Sequence, residues 1–346
     1  MNNNTINLEY KLPNSSYART PRTDRTADKM IVGYPDGRVF DSKVNDIKNF
    51  LHKGDTLIFN DSKTINGMVS GFNSEFGNIS FHIISFSEEY VICAISIRED
   101  LKEKIVGSKF VVSENLTFSI TFKDSSSHYI IQTNVSMENL IKELSLNGSP
   151  IISSYVTGDL NLSDYQNVVA QNSGSLENPV ASSHLTKELL NKLKSEGINI
   201  GYLTLHCVSN SAFISEEKYT EHKVPTEWFS VPEKTASLIQ KTKKNGNRVI
   251  AIGTTVTRTL ESLNYNENYS IESNLTGYTS LGIFPGHEFK VIDGILTNFH
   301  GSRSSRLGLA AAFIGEQKIL ELYQSAIEKD YKFFEFGDCT LLFNKN

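Results

Sequence analysis

The sequence predicts a mixed α/β protein whose main domain is interrupted by a small antiparallel β domain. Its length of 346 residues favours two domains over one. Strand and helix patterns alternate from residue 186 onward, as they do in α/β domains. Between residues 68 and 134, short β-rich segments follow one another with Gly, Asn, Asp and Ser turns between them. Such spacing indicates a small barrel or sandwich.

The amino-terminal part predicts one buried strand. Residues 19–29 form a polar, Arg-rich segment, whereas residues 56–59 are an apolar run that stops at Asn60 and Asp61. An apolar run with polar residues at its end is typical of a strand in the interior of a sheet.

The β-rich segments look like an insertion into the α/β pattern. They lie at residues 79–86, 90–97, 109–112, 116–122 and 129–133, and a short helix is predicted at residues 137–147. We therefore assign residues 67–149 to an inserted domain, and residues 1–66 together with residues 150–346 to the main domain.

Helices and strands alternate in the rest of the main domain. The patterns predict helices at residues 186–196, 232–244, 256–263, 305–313 and 317–329, and strands at residues 198–206, 248–252, 291–299 and 339–343. Gly197 and the pair Asn245-Gly246 end the first two helices.

Composition excludes several classes of protein. A formal net charge of −5 and a pI near 5.9 give no global positive field for nucleic acid, although a local patch on one rim suffices for tRNA. No apolar run is long enough to cross a membrane and the first residues do not form a signal peptide, so we expect a soluble, cytoplasmic protein. Cys93, Cys207 and Cys339 are too scattered for a disulfide framework or a zinc site, and we expect them in the core.

Three predicted strand ends carry polar residues, and ligands in open α/β sheets gather at such ends. The first is Gly253-Thr254-Thr255, followed by a helix that carries Arg258 and Glu261. Glycine permits close approach of the backbone, and free amides at the start of a helix bind anions or carboxylates. The alternative from spacing alone is a capped helix with an exposed Arg258–Glu261 pair.

The second and third strand ends carry histidines. Asn298 and His300 alternate with apolar residues and precede a Gly/Ser/Arg loop at residues 301–306, which offers backbone and guanidinium donors. A satisfied structural histidine beside a solvated basic loop is the alternative. His206 ends the strand at residues 198–206, where it is an acid, a base, a ligand or only a hydrogen-bonding cap.

Other common sites are missing from the sequence. It has no Gly-rich dinucleotide fingerprint, no Gly-Lys-Ser/Thr phosphate loop and no serine nucleophile elbow. The histidines do not form a close pair on one helix, so we expect no metal.

Two runs of residues carry a family resemblance: GTTVTRTLES at residues 253–262 and TNFH at residues 297–300. They resemble the Gly-Thr-Thr-x-x-Arg-Thr-Leu-Glu-Ser and Thr-Asn-Phe-His elements of the S-adenosylmethionine:tRNA ribosyltransferase-isomerases of queuosine biosynthesis. Further matches in the same order cover almost the whole chain. They are Tyr10, Leu12-Pro13, Arg25, Lys29, Gly54-Asp55, Asn60-Asp61, Tyr165-Gln166, Ala170, Gly174-Ser175, Pro179, His184, Pro285-Gly286, Phe289, Asp293, Tyr331, Phe333 and Gly337-Asp338.

The resemblance implies an α/β domain with an inserted β-barrel, and a monomer or weak homo-oligomer. It also implies that S-adenosylmethionine is a substrate whose ribosyl unit, not its methyl group, is transferred. The acceptor is the aminomethyl group of 7-aminomethyl-7-deazaguanine in tRNA. Adenine and methionine leave, an epoxycyclopentane forms, and the product is epoxyqueuosine.

That reaction requires a base for a proton next to the sulfonium, donors for the departing adenine and groups that hold the methionine carboxylate. As catalytic residues we assign His300, His184, Arg258 and Asp338, with His300 or His184 transferring protons. As residues that bind S-adenosylmethionine we assign Gly253, Thr254, Thr255, Asn298, Asn60 and Asp61. We expect Arg258→Ala to abolish turnover and to leave the fold intact.

Departures from the family pattern cluster in the central third of the chain. The family's Ala-Ala-Pro-Thr-Ala-Gly-Leu-His-Phe stretch is ENPVASSHL at residues 177–185, and the glycines after the strand histidine are VSNSA at residues 208–212. Of a His-x-Met-His-x-Glu element, His222 and Glu227 remain, with Pro225 at the second histidine. Gly301-Ser302 replaces a Leu-Pro pair, and Met68 replaces an arginine.

These departures leave two alternatives to the family reaction. One is a paralogue that uses S-adenosylmethionine as a donor toward another acceptor, such as a small molecule. The other is a non-catalytic nucleoside- or tRNA-binding protein.

Overall fold

The structure is a computed structural model and describes residues 6–22, 24–25, 27–125, 127–158, 160–209, 212–263 and 274–345. The strands are β1 (Lys29–Gly33), β2 (Val39–Lys43), β3 (Thr56–Asn60), β4 (Ser62–Thr64), β5 (Met68–Asn73), β6 (Gly77–Phe86), β7 (Val91–Ile95), β8 (Lys109–Val111), β9 (Thr117–Lys123), β10 (His128–Thr133), β11 (Asn172–Ser175), β12 (Asn199–Leu205), β13 (Glu227–Val231), β14 (Val249–Ile252), β15 (Leu275–Thr279), β16 (Gly294–Asn298) and β17 (Cys339–Phe343). The α-helices are α1 (Met137–Asn147), α2 (Lys187–Ser195), α3 (Glu233–Lys244), α4 (Thr254–Ser262), α5 (Ser305–Ile314) and α6 (Glu316–Glu328).

Nine of these strands form one mixed sheet in the order β15-β13-β12-β3-β14-β16-β17-β1-β2. The four central strands, β12-β3-β14-β16, are parallel, so their carboxyl ends lie at one edge of the sheet. β3 and β14 are buried at every position. Their continuous apolar sequences are what strands covered on both faces require.

Helices cover both faces of the sheet. Alternate residues of β3 point to opposite sides, so that Leu57 and Phe59 join one core and Ile58 joins the other. Helix α2 packs on the first core through its leucines, whereas α3, α4, α5 and α6 pack on the second. The main part of the protein is therefore a three-layer α/β structure.

Six strands form a closed antiparallel barrel in the order β10-β7-β6-β5-β8-β9. Its interior is filled by aromatic side chains, among them Phe81, Phe110 and Phe118. Helix α1 packs against the same core through Leu140 and Leu144. Of the two architectures that the sequence allows, a barrel or a sandwich, the structure has the barrel. Closure of the barrel leaves no unpaired edge strand.

The chain enters and leaves the barrel at one place. Met68 and Ser149 form an antiparallel bridge in which the Met68 amide donates to the Ser149 carbonyl at 3.0 Å and the Ser149 amide donates back at 2.8 Å. A second contact with the main part is the Ser209 amide, which donates to the Ile84 carbonyl of β6 at 2.8 Å.

The predicted fold class, a mixed α/β main part with an inserted small antiparallel β-barrel, is confirmed. All barrel strands and α1 lie within residues 68–147. We therefore propose residues 67–149 as the inserted domain, and residues 1–66 with 150–346 as the main domain. The three cysteines are buried and free, as expected.

Some boundaries differ from the prediction for identifiable reasons. Helix α4 begins at Thr254 instead of residue 256, because Gly253 turns the chain at a φ of +100° that most side chains disfavour. β16 begins at Gly294 rather than residue 291, because the amides of Val291 and Ile292 donate to Glu261 instead of a neighbouring strand. The edge strand β2 is largely exposed, so no apolar alternation marks it.

Candidate active site

A cavity of about 870 Å³ lies at the carboxyl edge of the central strands. The ends of β12, β14 and β16 form its floor, and the segments at residues 151–155 and 177–181 form part of its wall. The barrel contributes His82 of β6 and His128 of β10. Its volume is typical of sites for small molecules and cofactors.

The start of α4 forms one part of the floor. Gly253, Thr254 and Thr255 line the cavity, and a Cβ atom at Gly253 would lie 3.3 Å from the Cβ of Ala181. The first amides of a helix have no partner inside the helix, and the helix dipole adds positive potential there. This end of the cavity can therefore hold an anionic group.

The end of β16 supplies Asn298 and His300, which also line the cavity. The Asn298 amide nitrogen donates to the Phe334 carbonyl at 2.9 Å. Its buried Oδ1 forms no hydrogen bond of good geometry among the described residues, but the side chain interacts with His184 and raises the pKa of that histidine. His300 Nε2 lies 2.9 Å from Thr297 Oγ1. Burial, together with the positive charge of Arg306, lowers the pKa of His300 to about 3. Its imidazole is therefore neutral at physiological pH and can donate or accept a hydrogen bond.

Arg258 lines the cavity but is held by protein groups. It forms an ion pair with Glu227 through Nη1 and donates to the carbonyls of Leu281 and Pro225 at 2.9 and 3.0 Å. Glu227 also accepts the Val208 amide at 3.0 Å, and burial raises the pKa of this carboxyl. Arg258 therefore joins α4 to β13 through its ion pair with Glu227.

The alternative of an exposed Arg258–Glu261 pair is wrong. Glu261 is buried and accepts the amides of Lys290, Val291 and Ile292 at 2.9 to 3.0 Å. The expectation that Arg258→Ala leaves the fold intact is also not supported, because that change leaves Glu227 buried without its partner.

His184 and Asp338 belong to a buried cluster that does not line the cavity. His184 Nδ1 lies 2.7 Å from Asp28 Oδ2, and Arg22 bridges Asp28 and Asp338 at 2.8 and 2.6 Å. Burial lowers the pKa of His184, and the nearby Arg25 lowers it further. These residues lie outside the cavity, next to Asn298, whose side chain raises the pKa of His184. Their position suits residues that orient the floor of the cavity.

Asn60 and Asp61 also lie outside the lining of the cavity. Asn60 joins β3 to β12, because its side chain accepts the Leu205 amide at 3.0 Å and donates to the Leu205 carbonyl at 2.9 Å. Asp61 accepts Thr204 Oγ1 at 2.6 Å and Asn172 Nδ2 at 3.1 Å. Asn60 therefore joins two strands of the main sheet, and Asp61 joins β12 to β11, which pairs with β4 in a separate two-stranded sheet.

The structure thus brings one part of the predicted site together. The residues around the common cavity are Gly253, Thr254, Thr255, Arg258, Asn298 and His300, and those outside its lining are His184, Asp338, Asn60 and Asp61. Of the departing segment at residues 208–212, Asn210 and Ser211 lie outside the described residues.

Two carboxyl groups that sequence patterns do not indicate, Glu177 and Glu335, also line the cavity, together with Arg306 of the predicted basic loop. Arg306 Nη2 donates to Glu177 Oε2 at 2.7 Å, although 129 residues separate them along the chain. Glu335 accepts a hydrogen bond from Ser153 Oγ through Oε1, and its Oε2 is buried without a partner in the described ranges. Only the fold brings these residues together, so no spacing in the sequence identifies them.

One wall of the cavity is aromatic. The rings of Tyr155 and Phe334 lie 4.9 Å apart between centroids. Phe334 has a φ of +72°, which is rare for a bulky residue, and such residues cluster at ligand sites. An aromatic wall of this kind suits a flat nucleobase.

His206, the third predicted candidate, does not line the cavity. Its Nδ1 lies 2.7 Å from Ser62 Oγ, and its ring stacks on Trp228 with centroids 5.0 Å apart. A Cβ atom at Gly174 would lie 2.7 Å from the ring, so glycine is required there. Burial lowers the pKa of His206 to about 4. The histidine therefore acts as a neutral hydrogen-bonding cap.

This arrangement predicts a pH-dependent fluorescence signal from Trp228, the only tryptophan in the chain. Protonation of the stacked imidazole should quench the indole with a midpoint near pH 4. Between the ordinary pKa of 6.5 and this value the unfolded chain binds more protons, so the free energy of unfolding should fall as the pH decreases. Steady-state fluorescence and urea unfolding between pH 7 and 4 measure both effects.

The control for that titration is a second histidine variant. His206→Gln should remove the fluorescence transition and flatten the dependence of stability on pH, whereas His52→Gln, at an exposed position, should change neither. A fluorescence midpoint near 6.5 in the folded protein would contradict the assignment.

Among the described residues, no group of three or more His, Cys, Asp or Glu side chains is arranged to hold a metal ion. None of the helices described combines the length and apolar character that a membrane crossing requires.

Comparisons with known proteins agree on one family. The model of a family described as queuosine biosynthesis protein matches residues 5–342. An S-adenosylmethionine:tRNA ribosyltransferase-isomerase from Staphylococcus haemolyticus is 33% identical over 346 residues, which cover 98% of this chain and 99% of the relative. One from Francisella tularensis is 32% identical over 343 residues, with coverage of 98% and 99%. The crystal structure of an S-adenosylmethionine tRNA ribosyltransferase from Thermotoga maritima aligns with a TM-score of 0.55 at 28% identity, over 96% of this chain and 99% of that chain.

Proposed function

The chain belongs to the family of queuosine biosynthesis proteins, and we propose that it catalyses the reaction for which its relatives are named. As an S-adenosylmethionine:tRNA ribosyltransferase-isomerase, it transfers the ribosyl unit of S-adenosylmethionine to 7-aminomethyl-7-deazaguanine in tRNA and isomerises it. Epoxyqueuosine forms, and adenine and methionine are released. The observation that carries the proposal is that both family motifs, at residues 253–262 and 297–300, meet at one cavity.

The amides of Thr254 and Thr255 hold the methionine carboxylate in this proposal. They stand at the start of α4 on the floor of the cavity, where unpaired N–H groups and the helix dipole favour an anion. Gly253 contributes by its conformation, because its φ of +100° turns the chain from β14 into the helix.

The nucleoside occupies the aromatic side of the cavity. Tyr155 and Phe334 flank the adenine, and Oδ1 of Asn298, which also interacts with His184, accepts a hydrogen bond from its amino group. An imidazole with a pKa near 3 is a weak base, so in place of the expected proton transfer we propose that neutral His300 binds a ribose hydroxyl through its ring. His184 and Asp338 act as positioning residues behind Asn298.

The acceptor approaches from the side of the barrel. His82 and His128 project from the barrel into the same cavity, and His82 Nε2 lies 2.8 Å from Ser209 Oγ of the departing segment. This is the side on which the chain departs from the family pattern. We further propose that the protein acts in the cytoplasm, where tRNA is modified, as a monomer or weak homo-oligomer.

The test is a release assay. The protein is incubated with S-adenosylmethionine and tRNA that carries 7-aminomethyl-7-deazaguanine, and free adenine is measured by chromatography. Matched reactions contain tRNA with guanine at that position or the free base. Adenine release only with the modified tRNA supports the proposal. Release only with the free base would indicate a small-molecule acceptor, and binding without release would indicate a non-catalytic protein.

A further inference from the structure

We propose that Glu335 supplies the negative charge by which the cavity selects the sulfonium of S-adenosylmethionine over the neutral thioether of S-adenosylhomocysteine. The inference rests on the proposed function and deepens it, because it assigns a selective contact to a residue outside the two family motifs.

The first argument is the charge of the cavity wall. Its carboxylates are Glu177, Glu227 and Glu335, and its guanidinium groups are Arg258 and Arg306. Glu227 pairs with Arg258, and Glu177 pairs with Arg306. Three negative and two positive groups leave an excess of one negative charge, and among the described residues no cation forms an ion pair with Glu335.

The second argument is the environment of the Glu335 carboxyl. Ser153 donates to Oε1 and Tyr155 also interacts with the carboxyl, while Oε2 is buried without a hydrogen bond of its own within the described residues. Burial raises the pKa of this group, although both of these contacts lower it. A buried carboxylate with a free oxygen is unfavourable until a cation or a donor reaches it. An occupant with a positive charge supplies that partner.

The Arg306–Glu177 ion pair does not supply a cation for the Glu335 carboxyl. Arg306 is hydrogen-bonded to Glu177, and its side chain is 47% exposed. Glu177 raises the pKa of Glu335 while Arg306 lowers it, so the pair acts on Glu335 as two opposed charges. The Arg306–Glu177 pair therefore does not supply Glu335 with a cation of its own.

The third argument is the charge of the substrate. S-adenosylmethionine carries a sulfonium, an ammonium and a carboxylate, so its net charge is +1. S-adenosylhomocysteine keeps the ammonium and the carboxylate but has a neutral sulfur. Glu335 lines the cavity and interacts there with Tyr155, whose ring belongs to the aromatic wall assigned to the adenine. Its carboxyl thus lies on the side of the cavity where the nucleoside and its sulfonium are placed.

The experiment measures the dissociation constants of both compounds by calorimetry. Binding is measured with tRNA that lacks the deazaguanine base, so that no turnover occurs. Glu335→Gln should weaken S-adenosylmethionine about tenfold and change S-adenosylhomocysteine by less than about twofold, since one charge-assisted contact is lost. Glu335→Asp keeps the charge and should retain most of the preference. Glu328→Gln, on the exposed face of α6, is the control.

A measurement of stability distinguishes a role of Glu335 in ligand binding from a structural role. Glu335→Gln removes an unpaired buried charge, so its unfolding midpoint in urea should equal or exceed that of the unchanged protein. Equal weakening of both ligands would mean that Glu335 holds the ammonium that they share, and unchanged affinity for both would mean that it contacts neither, so either result overturns the inference. If the unchanged protein binds neither compound, the proposed function itself fails.

Discussion

Replacing Arg258 with alanine should abolish adenine release and lower the free energy of unfolding by about 3–5 kcal/mol, the usual effect of breaking a buried ion pair. Arg258 is only 11% exposed and Glu227 only 6%. The change leaves Glu227 charged and buried, and it frees the carbonyls of Leu281 and Pro225. Urea unfolding and the release assay measure the two effects.

A double-mutant cycle identifies the cause. Glu227→Gln keeps an oxygen for the Val208 amide but removes the charge. The double variant Arg258→Ala/Glu227→Gln should therefore be more stable than Arg258→Ala by more than about 1 kcal/mol. An Arg258→Ala protein with unchanged stability and no activity would instead mean that the guanidinium serves the ligand alone.

Replacing Thr254 with proline should weaken S-adenosylmethionine binding by about 10- to 100-fold while the fold is retained. Thr254 is the first residue of α4, a position where proline is well accepted because its missing N–H has no partner in the helix. The preceding Gly253 has a ψ of 158°, which a following proline favours. The substitution removes the backbone N–H of residue 254, which a change to any other amino acid would leave in place.

Two variants control for other effects of that proline. Thr254→Ala removes the hydroxyl and keeps the amide, so it should bind S-adenosylmethionine within about threefold of the unchanged protein. Glu316→Pro places proline at the start of α6, which follows Gly315 in nearly the same conformation as Gly253 and does not line the cavity. Full affinity in Thr254→Pro would refute the carboxylate site at α4.

The sequence predicts the floor of the cavity because simple rules of sheet architecture apply to it. Gly253–Thr255 and Asn298–His300 follow two strand patterns, and parallel neighbours such as β14 and β16 place their carboxyl ends together. The same rule is misleading for Asn60, which also follows a buried strand. Its side chain is used to hydrogen-bond the backbone of β12, and no local pattern distinguishes this use from ligand binding.

Charge partners are the part that the sequence does not predict. Arg258 and Glu261 lie one turn apart and look like a pair, yet each is bound elsewhere, because the fold offers Glu227 to one and three amides to the other. Glu335 is a single carboxyl in an aromatic segment. Its unpaired state depends on the packing of Ser153 and on the Arg306–Glu177 pair, which are distant in the chain.

The barrel is fixed to the main part at two places, the paired crossings at Met68 and Ser149 and the contacts of Ser209 with Ile84 and His82. Because Ser209 and His82 both line the cavity, the second attachment lies in the cavity wall itself. A substitution at Ser209 would therefore disturb the junction between the two parts of the protein as well as the surface of the cavity.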